Sequence, residues 1–336
     1  MIGFGKALLG IELSDSLFKL VELQRKGRKV RINQMVVHPL PPKWMKNGTI
    51  AEPDELVSAI REALMGRRFR TRKVQLAINS NHTVIQQIKV PEMRKRKLRK
   101  MLQREVIPGM ELPFTDPLFD FYCYGEVWEE GALQDALIVT ASRSYIQSLV
   151  ETIEECGLEP IGIDLVPLAN LRWLRFCQEE FPRQFIVAHL TKTGVEISCF
   201  EHEVLSKTRY IPLNMTLFKE KPDCPFPDPL TPVLKEAAEI ERYGKSLLTE
   251  LDQELDAYSR EGIFPTECVL TGEGLDFSQL QTWLAENVTF DVTIGPSIKN
   301  ILSPSLQEKV SRWLGPSLSV PVGLVLEGRE QAYGST

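Results

Sequence analysis

The sequence lacks features that would place it in several common classes of protein. No apolar run approaches 18 residues, so no segment is expected to span a membrane. The first ten residues are apolar, but they lack a basic n-region and lead directly into Glu12 and Asp15, so we expect no secretion signal. A net charge of −5 argues against a dedicated nucleic-acid binder, because such proteins are usually basic.

Short catalytic and metal-binding motifs are absent as well. The chain contains no G-x-x-x-x-G-K-[ST], no H-E-x-x-H and no G-x-S-x-G. Its six cysteines form no C-x-x-C pair, which favours reduced, buried thiols in a cytosolic protein. The four histidines are dispersed, and we expect His189 and the others to be ordinary core or surface residues. No metal site is predicted.

What the chain does contain is the composition of a globular protein, with 43% apolar and 25% charged residues. Its 336 residues are enough for two domain-sized units, each with its own core. A strand–turn–strand–turn–strand pattern over residues 8–37 recurs over 185–210, and helices follow each copy. This pattern predicts a duplicated α/β domain. Between the copies, residues 74–163 predict a small inserted α+β subdomain.

The first copy begins with a predicted β-hairpin over residues 9–23. Glu12 lies near the end of the first strand, and Ser14, Asp15 and Ser16 form the turn. A carboxylate at this place is suited to hydrated Mg²⁺, and turn hydroxyls and N–H groups are suited to phosphate oxygens. A phosphate-binding turn would favour glycine and an uncharged residue at the positions of Ser14 and Asp15. The competing interpretation is therefore a plain hairpin turn.

Five passages, in order along the chain, form a recognisable set: Leu9-Gly10-Ile11-Glu12 with Lys19-Leu20-Val21-Glu22-Leu23; the stretch from Pro91-Glu92-Met93 to Leu112-Pro113-Phe114; Gly157 to Val166; Thr271-Gly272-Glu273-Gly274; and Val322 to Gly328. Together these passages resemble the PilM family of type IV pilus assembly proteins, which are cytoplasmic and FtsA-like. The resemblance implies an actin-like ATPase fold, with two RNase-H-like lobes and an SHS2-like α+β subdomain inserted in the first.

The resemblance also implies a domain assignment. The first, 1A-like lobe comprises residues 1–73 and 164–182, and the 1C-like insert comprises 74–163. The second, 2A/2B-like lobe comprises 183–320, with a shortened 2B part around 211–260. Residues 321–336 return to the first lobe.

By the same resemblance, the nucleotide site comprises Glu12, Ser14, Asp15, Ser16, Lys19, Gly272, Glu273 and Gly274. The chain departs from the family pattern, which has Asp, Gly and Ser where this chain has Glu12, Ser14 and Asp15. A carboxylate about 4 Å from a phosphate costs roughly 4 kcal/mol, or about a thousandfold in affinity. The second phosphate loop has Ala188 and Leu190 in place of an acid and a glycine. We therefore predict a degenerate ATP site, no catalysis and no cofactor, with weak binding of ATP and Mg²⁺ as the alternative.

Positive charge is concentrated between Arg67 and Arg104, although the chain is acidic overall. A predicted helix over 92–106 carries an apolar stripe of Leu98, Met101, Leu102 and Val106 opposite a basic face. That face, Arg94 to Lys100, is either simply solvated or meets an anionic membrane surface. Nucleic-acid binding is less favoured, since aromatic residues are nearly absent from the region.

The resemblance implies a partner: the N-terminal cytoplasmic peptide of a PilN-like membrane protein, held beside the insert. Apolar residues of the insert are the candidate lining, although each could instead belong to its core: Ile88, Val90, Met101, Leu102, Val106, Leu112 and Phe114. The predicted function is a non-catalytic scaffold at the inner face of the cytoplasmic membrane, in pilus or competence assembly, that links this peptide to the cytoplasmic assembly ATPase. Homo-oligomerisation is left open. The alternatives are a nucleotide switch of the same family, a cytoplasmic component of a type II secretion platform, and a phosphoryl transferase of the same fold.

Overall fold

The computed structural model describes residues 7–326, apart from 27–28, 126–128, 130, 179, 221–227 and 309. Part of the predicted returning segment, residues 327–336, and the end of the last resembling passage, Glu327 and Gly328, lie outside the described residues.

Strands and helices follow one another along the chain in this order: β1 (Ala7–Leu13), β2 (Leu17–Lys26), β3 (Lys29–Pro39), β4 (Met45–Lys46), β5 (Thr49–Ile50), α1 (Pro53–Leu64), β6 (Lys73–Ile78), β7 (Thr83–Pro91), α2 (Lys95–Met101), β8 (Pro117–Tyr124), β9 (Leu133–Ser142), α3 (Arg143–Glu155), β10 (Glu159–Leu165), α4 (Val166–Cys177), β11 (Gln184–Leu190), β12 (Val195–Glu201), β13 (Val204–Ile211), α5 (Ala237–Arg260), β14 (Glu267–Gly272), α6 (Phe277–Asn287), β15 (Asp291–Ile294), α7 (Pro304–Gln307) and α8 (Ser319–Val325). Helix α2 continues into a π-helical turn, Leu102–Val106.

Two five-stranded sheets share one topology. The first has the order β10-β6-β1-β2-β3 and the second β13-β12-β11-β14-β15. In each, three consecutive strands form an antiparallel meander, and two later strands add in parallel beside the first strand of the meander. The duplication predicted from the strand pattern is therefore confirmed.

Burial of apolar side chains stabilises the two sheets and the helices that pack against them. Strand β11 is buried along nearly its whole length because it lies in the middle of the second sheet. The apolar face of α5, which includes Tyr243, Leu247 and Leu251, belongs to the core of that sheet. On the first sheet, α8 packs against α4 so closely that a Cβ on Gly323 would lie 1.8 Å from the carbonyl oxygen of Ala169.

The chain divides into two compact units with separate cores. The larger unit contains both five-stranded sheets, within residues 7–81 and 150–326. The smaller unit, residues 82–149, contains a three-stranded sheet of order β7-β9-β8. Its core includes Val90, Leu98, Leu102, Phe121 and Ile138.

The smaller unit is shorter than the insert of residues 74–163 that the sequence predicted. Strand β6 pairs with β1 and β10 pairs with β6, so both belong to the first sheet. The return of the chain to that sheet also precedes residue 321, because Ile298 and Leu302 pack in one core with Leu17 of β2. The remaining domain boundaries stay predictions.

No helix among the described residues combines the length and the apolar character needed to cross a bilayer.

Candidate functional site

The predicted hairpin forms, and its turn is closed by its own groups. The hydroxyl of Ser14 accepts a hydrogen bond from the N–H of Leu17 at 3.1 Å, and the N–H of Ser14 donates to the carbonyl of Leu17 at 3.0 Å. The carbonyl of Ser16 accepts from the N–H of Leu40 at 2.8 Å. The Ser16 hydroxyl is buried and has no hydrogen-bond partner within the described chain. The turn therefore already uses the Ser14 groups that the phosphate interpretation assigned to a ligand.

Asp15 has a structural role that the sequence did not reveal. Its carboxylate accepts hydrogen bonds from the N–H groups of Asn47 and Gly48, each at 2.7 Å. These two residues form the turn between β4 and β5 and both have positive φ, 50° and 78°. Asp15 thus holds a second tight turn against the first hairpin.

A buried ion-pair cluster occupies the place predicted for nucleotide phosphates. Lys19 Nζ lies 3.0 Å from Glu12 Oε2 and 2.5 Å from Glu273 Oε2. Glu12 and Lys19 are direct neighbours across β1 and β2, whereas Glu273 follows β14 of the second sheet. All three side chains are at most 4% exposed. One lysine therefore joins the hairpin of the first sheet to a turn of the second.

His189 extends this cluster from β11. Its Nε2 lies 2.9 Å from Glu12 Oε1, and its Nδ1 lies 2.9 Å from the hydroxyl of Thr271. Because a carboxylate can only accept, Nε2 carries the hydrogen of that bond when Glu12 is ionised. From the sequence we expected His189 to be an ordinary core or surface histidine. Its position inside an otherwise apolar strand was the available signal, since a buried polar group needs a partner.

The two carboxyl groups respond differently to this environment. Burial alone would raise the pKa of Glu12, but the charge of Lys19, then that of His189, and hydrogen bonds from both lower it to about 2. Burial raises the pKa of Glu273 despite its contact with Lys19. One ammonium group cannot fully balance two buried carboxylates, and Glu12 has the second donor. Glu12 is therefore the stronger acid of the pair.

The second loop, between β11 and β12, also closes on itself. The Thr191 N–H donates to the carbonyl of Gly194 at 2.8 Å, and the Thr191 hydroxyl accepts from the Gly194 N–H at 3.2 Å.

Nearby Glu196 accepts hydrogen bonds from the N–H of Ser80 and from the Thr208 hydroxyl, the latter at 2.6 Å, and burial raises the pKa of Glu196. No sequence motif singled out Glu196, although a charged residue in a strand this buried indicates a specific partner.

The two glycines of the predicted nucleotide site, Gly272 and Gly274, are needed for packing within the chain. A Cβ on Gly272 would lie 1.8 Å from the carbonyl oxygen of Leu190, and φ of Gly272 is +101°. A Cβ on Gly274, with φ of +108°, would lie 2.6 Å from the sulfur of Met215. The carbonyl of Gly274 accepts from the N–H of Val233 at 2.7 Å. Both glycines thus satisfy a turn that other segments of the chain cover.

The space left at the hairpin is small. A cavity of about 30 Å³ is lined by residues that include Glu12, Ser14, Asp15, His189 and Glu196. This volume has room for about two water molecules. Glu12 is engaged by Lys19 and His189, and Asp15 by the turn at residues 47–48. In this conformation neither carboxylate is free to coordinate a metal ion.

The residues predicted to line a partner groove divide into two groups. Val90 and Leu102 are fully buried in the core of the smaller unit and present no surface. Ile88, Met101, Val106 and Leu112 are half-buried and pack against that core. Phe114 is half-buried as well. Partner binding by this group stays a prediction, and Val90 and Leu102 are best assigned to the core.

The paired sheets of identical topology, together with the two solved structures described below, give the chain an actin-like ATPase fold. The family model described as type IV pilus assembly protein PilM matches residues 10–211, and the chain belongs to this family. It is similar to a solved structure described as a PilM-PilN type IV pilus biogenesis complex, with 23% identity, coverage of 96% of this chain and 98% of that chain, and a TM-score of 0.75. It is also similar to the ethanolamine utilization protein EutJ from Carboxydothermus hydrogenoformans, with 12% identity, coverage of 96% and 90%, and a TM-score of 0.52.

The cluster predicts that its members differ sharply in their effect on stability. Lys19→Met leaves two buried carboxyl groups without a cation and should lower the free energy of unfolding by about 3–5 kcal/mol. Glu273→Gln removes the excess carboxylate and should be neutral or stabilising at pH 7. Lys73→Met, which breaks an exposed pair with Glu159, is the control and should change the free energy by less than about 1 kcal/mol. Urea unfolding measures all three. A Lys19→Met protein as stable as the Lys73→Met protein would contradict this account.

The lowered pKa of Glu12 predicts a specific acid sensitivity. A carboxyl group whose pKa is lower in the folded state stabilises the fold above its unfolded pKa, here 4.5, and this contribution is lost as pH falls toward about 2. The difference in unfolding free energy between the wild type and Glu12→Gln should therefore be largest above pH 4.5 and shrink between pH 4.5 and 2. Urea unfolding at pH 2.5, 3.5, 4.5 and 7 tests this, and a constant difference would refute it.

Proposed function

We propose that this protein is a non-catalytic, actin-like scaffold of type IV pilus or competence assembly. The observation that carries the proposal is the ion-pair cluster of Lys19, Glu12 and Glu273, where the fold class would hold nucleotide phosphates. Membership of the PilM family supports the role in pilus assembly. No cofactor is part of the proposal.

The charges of the site support the absence of catalysis. A bound nucleotide would have to displace Lys19 from Glu12, or its phosphates would have to lie near the two carboxylates of the cluster. Either event is unfavourable, because an unpaired charge at a buried site costs several kcal/mol. Glu12 is therefore not available to hold a metal ion. In this proposal the cluster fixes the two sheets relative to each other without a ligand.

We further propose that the protein binds the N-terminal cytoplasmic peptide of a PilN-like membrane protein and links it to the assembly ATPase. The similar solved structure is described as a PilM-PilN complex, which supports a partner of this kind. Peripheral association with the inner face of the cytoplasmic membrane would follow from binding such a partner. For the peptide site we retain the half-buried residues of the smaller unit, among them Ile88, Leu112 and Phe114.

Peptide binding with and without Mg-ATP tests both parts of the proposal. A fluorescein-labelled N-terminal peptide of the PilN-like protein from the same host should bind the full chain saturably in the micromolar range. Millimolar Mg-ATP should leave the affinity unchanged, because the site does not accept the nucleotide. Phe114→Ala should weaken binding at least about tenfold, as for a residue that contributes strongly to an interface. Fluorescence anisotropy gives the dissociation constants.

Phe264→Ala is the matched control, since Phe264 is 62% exposed and belongs to the larger unit. It should leave peptide binding unchanged. Absence of saturable binding would refute the proposed partner. A tenfold shift in affinity on adding Mg-ATP would instead support a nucleotide switch and refute the non-catalytic scaffold.

A further inference from the structure

The helical segment that starts with α2 exposes several basic side chains and one acidic side chain, Glu105. Arg96, Lys97, Lys100 and Arg104 are all exposed; Lys100 lies three residues after Lys97 and four after Arg96, and Arg104 lies four after Lys100. We call these four residues the basic face. On the opposite side, Leu98 and Leu102 are buried in the core of the smaller unit. The packing of that side fixes the basic face toward solvent.

The four side chains of the basic face have no ion-pair partner among the residues that the structure describes. The neighbouring Arg99 pairs with Asp120 and lies over the Phe119 ring. Four cations on the larger unit pair with glutamates: Lys207 with Glu261, Arg209 with Glu254, Arg242 with Glu220, and Lys245 with Glu241. The basic face is therefore an uncompensated positive surface on a chain whose net charge is −5.

We propose that the basic face docks on the phosphates of an anionic lipid bilayer. A bilayer offers a broad negative surface that attracts clustered lysine and arginine without specific geometry. The net negative charge of the rest of the chain is repelled by the same surface, which would orient the molecule with this face toward the lipid.

The composition of the face favours lipid over the two other anionic partners. Protein interfaces need apolar or aromatic anchors and are depleted in lysine. None of the large exposed apolar side chains of the described chain lies between residues 92 and 106. Single-stranded nucleic acid needs aromatic rings on which bases stack, and the face has none. A weak, purely electrostatic attachment remains.

Vesicle co-sedimentation of the full chain tests this proposal. Vesicles of phosphatidylcholine with about one third phosphatidylglycerol should bind the protein at low salt, and pure phosphatidylcholine vesicles should not. Raising the salt to 0.5 M should release the protein, because exposed charges are screened. Each basic residue near such a surface contributes about fivefold in partitioning. The variant Arg96→Gln, Lys97→Gln, Lys100→Gln, Arg104→Gln should therefore lose at least about tenfold.

The control variant removes the same number of positive charges elsewhere: Lys207→Gln, Arg209→Gln, Arg242→Gln, Lys245→Gln. It should retain binding, since these side chains are already paired. If the wild type bound neutral and anionic vesicles equally, the proposal would be overturned. This comparison does not depend on the folding of any variant. Equal loss in both variants would also overturn it, because net charge alone would then explain binding. Tighter binding to single-stranded RNA than to vesicles, lost in the first variant, would replace lipid with nucleic acid.

Discussion

The buried ammonium group of Lys19, shared by Glu12 and Glu273, is the interaction on which the site depends. It joins residues 254 positions apart in sequence and ties a hairpin of the first sheet to the turn after the last long strand of the second. Removing charges from water is costly, so the ammonium group of Lys19 and the carboxylate of Glu12 stabilise the fold only as a pair. His189 joins this pair through its hydrogen bond to Glu12.

Contacts within the folded chain give a physical reason for the departures of Asp15, Ala188 and Leu190 from the phosphate-binding pattern. Asp15 is acidic because its carboxylate holds the N–H groups of the turn at residues 47 and 48. Leu190 and Ala188 are apolar because both are fully buried in the core of the second sheet. The residues that look degenerate beside a nucleotide-binding pattern have well-defined roles within the folded chain.

Local patterns predicted much of the fold. Alternating and continuous apolar runs located the hairpin and both strand meanders, since a strand buries one or both faces in a regular way. The pairing of β6 with β1 could not be predicted in this way. Parallel strands are joined by long connections, and nothing in residues 73–78 indicates which strand they adjoin. For this reason the predicted insert began too early.

The composition of the candidate site could be predicted only in part, because His189 and Glu196 were not identified, and its connections could not be predicted. Motif positions assigned Glu12, Lys19 and Glu273 to one predicted nucleotide site; the structure shows these three side chains in contact, and their role toward a nucleotide stays a prediction. Their direct ion pairing depends on side-chain geometry at the meeting of two distant segments, which no local pattern encodes. The same limit explains why Val90 and Leu102, predicted to line a groove, lie in the core. In a small subdomain, the sequence alone does not distinguish an apolar residue of the core from one that lines a groove.

A crystal structure of the full chain grown with a saturating, non-hydrolysable ATP analogue and Mg²⁺ tests the central claim most directly. We expect Lys19 to remain in contact with Glu12 and Glu273, with no ordered phosphate or metal at the hairpin. Ordered β- and γ-phosphates with a metal ion beside Glu12, and Lys19 turned toward them, would contradict the account.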